Sequence, residues 1–418
     1  MDFQNRRLRQ LVTHAYNHVP YYHKLFDRHR IKPQDIQTVA DLHAIPITSK
    51  NDLQPLPVEE VVARGLDPKR LIVHTTSGSS GEPFSIRRTW LEERLLNTFR
   101  RRALDYFGLR ITDKEAMIGL SGAGPPRGNQ FVQRMAQAAG LYRRTEINCL
   151  LPPEEIVRRL RHYRPDVVTG LAGVLSRIAQ SIADDDRRVI KPRFVGAGGE
   201  VMTPSMRQRI SKGFAAPVFE TYGSHEFNLI AWECMETGDY HTCDYGVIVE
   251  VLKDDRTAGT GERGEIIATN LHSFVMPFIR YRLGDIVTKG SETCDCGLPF
   301  STIRAIQGRM SDYFPLPNGR LFHPLDILPV LYDKARWIRQ YQVVQERMDR
   351  IVLRAVPSVA PSEQELALLQ GAVADLFGPG IEFQVNLVPD IQIEPSGKFR
   401  VFRSLVQSAY DGIDWERL

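Results

Sequence analysis

From residue 115 onward the apolar pattern of the chain repeatedly changes period, and this alternation limits the fold more than any other feature. Short apolar runs, Glu115 to Leu120, Asp166 to Thr169 and Arg193 to Ala197, read as strands. Helical stretches lie between them. Pro153 to Tyr163 starts on proline and carries a leucine–arginine amphipathic pattern, and Thr203-Pro204 supplies the cap and first position of another helix. Such spacing predicts an α/β core with mostly parallel sheets and helices, because a strand reaches a parallel neighbour only through a crossover. Upstream, Leu71-Ile72-Val73 is expected to be a short buried strand and Leu91 to Tyr106 a long amphipathic helix.

The two ends of the chain differ from this middle. Residues 1 to about 50 read as helical, with a break at Val19-Pro20 and an extended stretch from Ile45 to Lys50. Beyond residue 310, Arg350 to Val356 and Ile381 to Leu387 alternate as strands do. Between them Ser362 to Phe377 is a helix, opened by a Ser362/Glu365 capping box and ended by Gly378-Pro379. At 418 residues the chain exceeds a single core. We therefore expect a large N-terminal domain, 1–310, and a small C-terminal α+β domain, 311–418, meeting just after Gly308-Arg309.

Charge excludes some functions. With 54 Lys and Arg against 50 Asp and Glu, the net charge of +4 gives no reason to expect a nucleic-acid partner. Basic clusters such as Arg100-Arg101-Arg102 fit a solvated helix face. No apolar run approaches the ~18 residues of a membrane span, and the first residues lack the apolar core of a signal peptide. The expectation is a cytoplasmic protein with no membrane partner and with reduced cysteines.

The densest local signal is Thr76, Ser77, Gly78, Ser79, Ser80 and Gly81. Four hydroxyls and two glycines there can turn donors inward around a polyanion. This is neither a P-loop nor a dinucleotide fingerprint, since no Gly-Lys-Ser/Thr and no G-x-G-x-x-G is present. Other short signatures follow in order: Gly198-Gly199-Glu200, Tyr222-Gly223-Ser224-His225-Glu226, Tyr281-Arg282-Leu283-Gly284-Asp285, Gly308-Arg309 and Pro395-Ser396-Gly397-Lys398.

Taken together, these motifs resemble the adenylate-forming superfamily of acyl-CoA ligases and adenylation domains, and within it the phenylacetate-CoA ligase branch. His18-Val19-Pro20-Tyr21-Tyr22 and Pro46-Ile47-Thr48-Ser49-Lys50 are similar to that branch as well. The resemblance implies ATP-dependent activation of a carboxylic acid, aromatic or aryl-acetic, as an acyl-adenylate. Transfer to a thiol such as coenzyme A would follow. It implies that the 76–81 loop holds the leaving pyrophosphate, with Gly199, Glu200 and Gly223 also lining the nucleotide site. Tyr222 would stack on adenine, Glu226 would carry Mg²⁺, Asp285 would accept from the ribose hydroxyls, and Arg309 would touch the nucleotide near a hinge. Lys398 would reach from the small domain to the phosphate and carboxylate oxygens. Rotation of the small domain about residues 309–312 would separate the two half-reactions.

Two positions depart from the family pattern. His225 stands where Ser or Thr usually touches the α-phosphate, and Ser311-Asp312 shifts by one place an aspartate that often follows the hinge arginine. Alternatives remain within the superfamily: an adenylyltransferase, a ligase whose acceptor is an amine or carrier protein, or a non-catalytic relative that only binds a nucleotide. A homodimer is left open.

Five cysteines are present, and four fall into two close pairs. Cys294-Asp295-Cys296 is a C-x-C turn, and Cys234 lies seven residues before His241. Thiolate and imidazole are the ligands of a structural Zn²⁺. Similar sets occur in relatives of phenylacetate-CoA ligase. We expect Cys234, His241, Cys294 and Cys296 as ligands, with Cys243 as a substitute and Cys149 in the core.

Overall fold

The computed structural model describes residues 2–75, 84–120, 135–254, 256–309, 313–392 and 399–406, with backbone alone at Arg309, Leu325 and Tyr332. Its contacts divide the chain into two units. The larger comprises Met1–Leu252, Thr257–Leu283 and Val287–Ile306, and the smaller Lys253–Arg256, Gly284–Ile286 and Gln307–Leu418.

In the larger unit the chain starts with helices Asp2–His18 and Pro20–His29. Val19 between them is extended, as the residue before proline tends to be, and Pro20 starts the second helix where its missing N–H costs nothing. Leu8, Leu11, Val12, Tyr22 and Phe26 from these helices are buried with Ile248, Leu271 and Ile279 from far along the chain. Each fully buried side chain of this kind contributes roughly 1.5–3 kcal/mol. Tyr22 locks the contact, donating to the Pro277 carbonyl (3.0 Å) and accepting from the Ile279 amide (3.1 Å).

Five parallel strands lie in the spatial order Arg143–Asn148, Lys114–Gly119, Val167–Leu171, Phe194–Gly198 and Val218–Tyr222. Helices Pro153–Tyr163, Ala172–Ser181 and Pro204–Phe214 follow strands of this run. The parallel pairing expected from the alternation is found here. Past Val218–Tyr222 the pairing turns antiparallel, through Ala231–Glu233, Tyr240–Thr242 and Thr302–Arg309. Among the described residues the sheet has twelve strands.

The run Leu71-Ile72-Val73 departs from expectation. Strand Ile72–Thr75 pairs with Ser85–Arg88 in a separate two-stranded ribbon, and Val73 is 47% exposed. A ribbon gives alternate side chains no second layer to bury against, so half of its apolar residues face solvent. Helix Trp90–Tyr106 follows, closed by a Thr89/Glu92 capping box.

The smaller unit has the strand order Glu382–Leu387, Arg350–Pro357, Ile338–Arg347 and Phe402–Ser404, with helices Leu328–Lys334 and Glu363–Phe377. The capping box at Ser362 and Glu365 is formed. Sequence pattern showed only two of these strands. Ile338–Arg347 carries three glutamines, and Gln345 is fully buried, donating to Pro315 O at 2.7 Å and accepting from Ser404 Oγ at 2.8 Å. A polar residue satisfied inside the core breaks the apolar period on which the reading rested. Among the described residues, no helix is long and apolar enough to cross a membrane.

Candidate active site and metal centre

The segment Tyr222-Gly223-Ser224-His225-Glu226 leaves the last parallel strand and turns back immediately. A Cβ on Gly223 would stand 1.9 Å from the Asn228 carbonyl oxygen, so only glycine permits this closure. Tyr222 ends the strand and packs, half-buried, against the main core. His225 is exposed at the tip, whereas Glu226 is buried. Glu226 Oε1 lies 3.4 Å from the Tyr281 hydroxyl, and its carbonyl accepts from Asn270 Nδ2 at 2.9 Å.

Sequence reasoning missed what holds this loop. Arg88 donates through Nη2 to the His225 carbonyl and through Nη1 to Glu93 Oε2, at 3.2 Å. The same carboxylate oxygen accepts from His74 Nε2 at 2.9 Å, and Oε1 accepts from Asn97 Nδ2 at 3.0 Å. Asn228 donates in turn to Asn97, 3.0 Å. Glu93 thus ties both strands of the ribbon to the 222–228 loop. Burial alone would raise its pKa, but the hydrogen bond and charge of His74, with those of Arg88, outweigh this and hold it down at about 2. The His74 and His225 rings lie 6.1 Å apart, inclined at 29°. Glu92 and Glu93 stand in the first turn of helix Trp90–Tyr106, where acids are common, and nothing in the sequence marks that both are buried.

A second buried group backs the strand Val218–Tyr222. Glu220 Oε2 accepts from Tyr240 OH (2.8 Å) and from Arg207 Nη2 (2.7 Å). Arg207 Nη2 also reaches Glu233 Oε2 at 3.0 Å. Two carboxylates therefore share one guanidinium. Desolvation pushes the pKa of Glu220 up to about 7, with Arg207 and Tyr240 limiting the rise.

Other expected residues are placed separately. Gly198 and Gly199 end strand Phe194–Gly198; a Cβ on Gly198 would meet Thr221 O at 2.6 Å, and Gly199 has φ +75°. Glu200 Oε2 accepts from the Gly173 amide at 2.6 Å, satisfying an open N–H in the first turn of helix Ala172–Ser181. Asp285 is buried on strand Tyr281–Lys289. The backbone of Arg309 ends strand Thr302–Arg309. The hydroxyl–glycine loop (Thr76, Ser77, Gly78, Ser79, Ser80, Gly81), the hinge pair Ser311 and Asp312, and Lys398 lie outside the described residues.

The structure does bring the cysteines together. One ligand atom from each of Cys234, His241, Cys294 and Cys296 lies within 4.8 Å of all the others. Cys234 and Cys294 sulfurs are 3.8 Å apart, and Cys296 Sγ is 3.3 Å from His241 Nε2. A tetrahedron with metal–sulfur arms of about 2.3 Å has edges of about 3.8 Å, so the donor set fits zinc. Two turns make this possible. Gly238 (φ +77°) closes the hairpin from Cys234, and Gly297 (φ +87°) donates to the Cys294 carbonyl, 3.0 Å. Tyr106 OH lies 3.7 Å from the Cys234 sulfur. Cys243 is not part of the group; it is fully buried where Phe99 closes in on Gly246, a packing role. Cys149 is buried as expected.

The architecture is shared with known proteins. A 2-hydroxyisobutyryl-CoA ligase, solved in its postadenylation state with an acyl-AMP, superposes over 97% of this chain and 89% of its own with a TM-score of 0.78 at 21% identity. The chain therefore has the fold of the adenylate-forming acyl-CoA ligases. Its sequence is 26% identical over 368 residues to the phenylacetate-coenzyme A ligase of Thermus thermophilus, covering 82% of this chain and 78% of that one. It is 22% identical over 422 residues to protein CapK of Staphylococcus aureus, covering 96% and 88%. Residues 318–404 match the family described as the CapK C-terminal domain. Fold and sequence agree with the resemblance read from the motifs: the chain has the fold of acyl-CoA ligases and is similar in sequence to phenylacetate-coenzyme A ligases.

Proposed function

We propose that the protein is an ATP-dependent, AMP-forming ligase. It activates a carboxylic acid, aromatic or aryl-acetic, as its acyl-adenylate and passes the acyl group to coenzyme A. The observation that carries this reading is the Tyr222–Glu226 loop, closed by Gly223 and pinned by Arg88, with an exposed imidazole beside a buried carboxylate. Tyr222 offers a face to adenine, His225 a donor to a phosphate oxygen, and Asp285 an acceptor for ribose hydroxyls. Glu226 would hold Mg²⁺, since the hydrogen bond described for its carboxylate is the long one from Tyr281 and carboxylate oxygen suits a hard cation. That ion would supply neutralisation of phosphate charge. Arg309 and Lys398 complete the proposed machinery from the 311–418 domain and its hinge, Lys398 stabilising charge during adenylation.

Zn²⁺ held by Cys234, His241, Cys294 and Cys296 would cross-link the 234–241 hairpin to the 294–296 turn, a structural rather than catalytic contribution. Purified protein should contain about one equivalent, and chelation should lower its melting temperature, because metal binding is linked to folding.

A second reading concerns the acceptor alone. The small unit matches a family named for CapK, and protein CapK aligns with nearly the whole chain. Neither name specifies a thiol acceptor, so an amine, carrier protein or hydroxyl acceptor stands beside the thiol as the second reading. Pyrophosphate release screened over aryl and aliphatic acids, with and without coenzyme A, tests both. Acid-dependent pyrophosphate release with thioester formation establishes the ligase; release without thioester, or AMP retained in the product, selects the second reading. No acid-dependent release would leave only a nucleotide-binding relative.

A further inference from the structure

Two hydroxyls that the motifs did not single out meet the cysteine–histidine group from outside. Tyr106, the last residue of helix Trp90–Tyr106, places its hydroxyl 3.7 Å from Cys234 Sγ. Thr237, inside the hairpin that carries Cys234 and His241, places Oγ1 3.7 Å from Cys294 Sγ. Each hydroxyl is aimed by a backbone amide. Met235 N donates to the Tyr106 oxygen at 3.3 Å, and Asp239 N donates to Thr237 Oγ1 at 3.2 Å. A hydroxyl has one proton to give, and an oxygen that accepts from an amide turns that proton away from it, toward the sulfur. A metal-bound thiolate has no proton of its own, so in both pairs the hydroxyl is the donor.

Tyr106 makes a further contact with the group. Its ring meets the His241 ring edge-on, with centroids 5.7 Å apart and planes at 79°. One side chain from a separate helix thus touches two of the four donors. Backbone N–H groups join the hydroxyls: those of Glu236 and Thr237 reach Cys234, and that of Leu298 reaches Cys296. These donors match a charge that only a metal-loaded centre carries. Three thiolates and one imidazole around a divalent ion leave one unit of negative charge, and Cys234, His241 and Cys294 are buried. Buried charge is costly unless hydrogen-bond partners face it, whereas neutral thiols have no such need.

We propose that Tyr106 and Thr237 are the outer hydrogen-bond donors of the metal centre, Tyr106 stabilising the Cys234 thiolate and Thr237 the Cys294 thiolate. This rests on the zinc reading above. Tyr106 also ties the centre to helix Trp90–Tyr106, a segment that supplies none of the four ligands.

The test uses the full-length protein with Zn²⁺ alone and Co²⁺ alone as probes. Tyr106→Phe keeps the ring against His241 and removes the hydroxyl. Thr237→Val keeps the shape and removes the hydroxyl, and Thr237→Ser restores it. Tyr106→Phe and Thr237→Val should each weaken Zn²⁺, titrated against a chromophoric chelator, by at least about tenfold, as outer partners of metal ligands do. Thr237→Ser should bind Zn²⁺ as wild type does. In Co²⁺-loaded protein the thiolate-to-metal absorption band should move to longer wavelength in the first two variants, because a thiolate that has lost a donor gives up charge more readily. A hydroxyl that only packs would lower the melting temperature of loaded and metal-free protein alike and leave affinity and band unchanged. That result in either variant, or a loss in Thr237→Ser equal to that in Thr237→Val, overturns the inference for that residue while the zinc reading stands. Should Tyr106→Phe fold poorly, the Thr237 pair decides. Wild-type protein that takes up neither ion overturns both.

Discussion

Glu93 and Glu220 are both buried carboxylates of the large unit, each bonded to an arginine, yet they titrate in opposite directions. Glu93 has Arg88 and His74 to itself, and its pKa falls to about 2. Glu220 must share Arg207 with Glu233, and its pKa rises to about 7. Both are nearly closed to solvent, 6% and 8% exposed, but Glu220 lies deeper among protein atoms and desolvation is the first cause of its rise. Depth and the number of positive partners per carboxylate together separate them. The first cluster holds the 222–228 loop; the second braces the strand before it.

Deleting the arginines tests this most severely. Arg88→Met leaves Glu93 buried without its permanently charged partner, a change that costs about 3–5 kcal/mol in comparable pairs. Arg207 is one-third exposed, and Glu220 can take up a proton when its partner goes. Arg207→Met should therefore cost less than half as much, read from urea denaturation at pH 7. Equal losses would break the comparison.

The pH dependence should differ in sign. The stability that Glu93 contributes is present above its usual value of 4.5 and is lost as pH falls through about 2. Glu93→Gln should remove that acid-side loss. Glu220 behaves oppositely: stability is fully present below 4.5 and declines as pH rises through about 7, by at most about 3 kcal/mol at pH 8. Glu220→Gln should flatten the alkaline decline in melting temperature. If both variants shift the same limb, the partner count is not the cause.

The smallest effect should come from Asn97, the relay between Glu93 and Asn228. Asn97→Ala removes one hydrogen bond to the charged Glu93 carboxylate and one to neutral Asn228, and should cost about 1–2 kcal/mol. It should also speed amide exchange at residues 225–228 without moving either pH limb. A shifted acid limb would mean that Asn97 helps set the Glu93 charge.

Legibility in the sequence followed the range of the interactions. Helix Pro153–Tyr163 and the capping box at Ser362 were plain, because local residues determine both. The four cysteine and histidine donors could be grouped because few chemistries need that set. The Glu93 cluster could not be read, since His74, Arg88 and Glu93 on a ribbon and the helix after it meet a loop whose His225 lies 137 residues beyond Arg88. Glu200 shows the converse: its motif was legible, but its carboxylate is bonded to a helix N-terminus. Cys243 stayed open as a substitute ligand because spacing alone cannot tell a thiol that packs from one that coordinates, and the group that forms is the four without it.

The opening helices have a consequence for biosynthesis. Tyr22 closes onto Pro277, 255 positions later, and Leu8 and Phe26 share a core with Leu271 and Ile279. On a ribosome adding roughly 5–20 residues per second, these helices wait about 10–50 s for their partners. During that time their apolar stripe is uncovered, so a nascent chain stalled before residue 270 should be a client for a chaperone that recognises amphipathic helices.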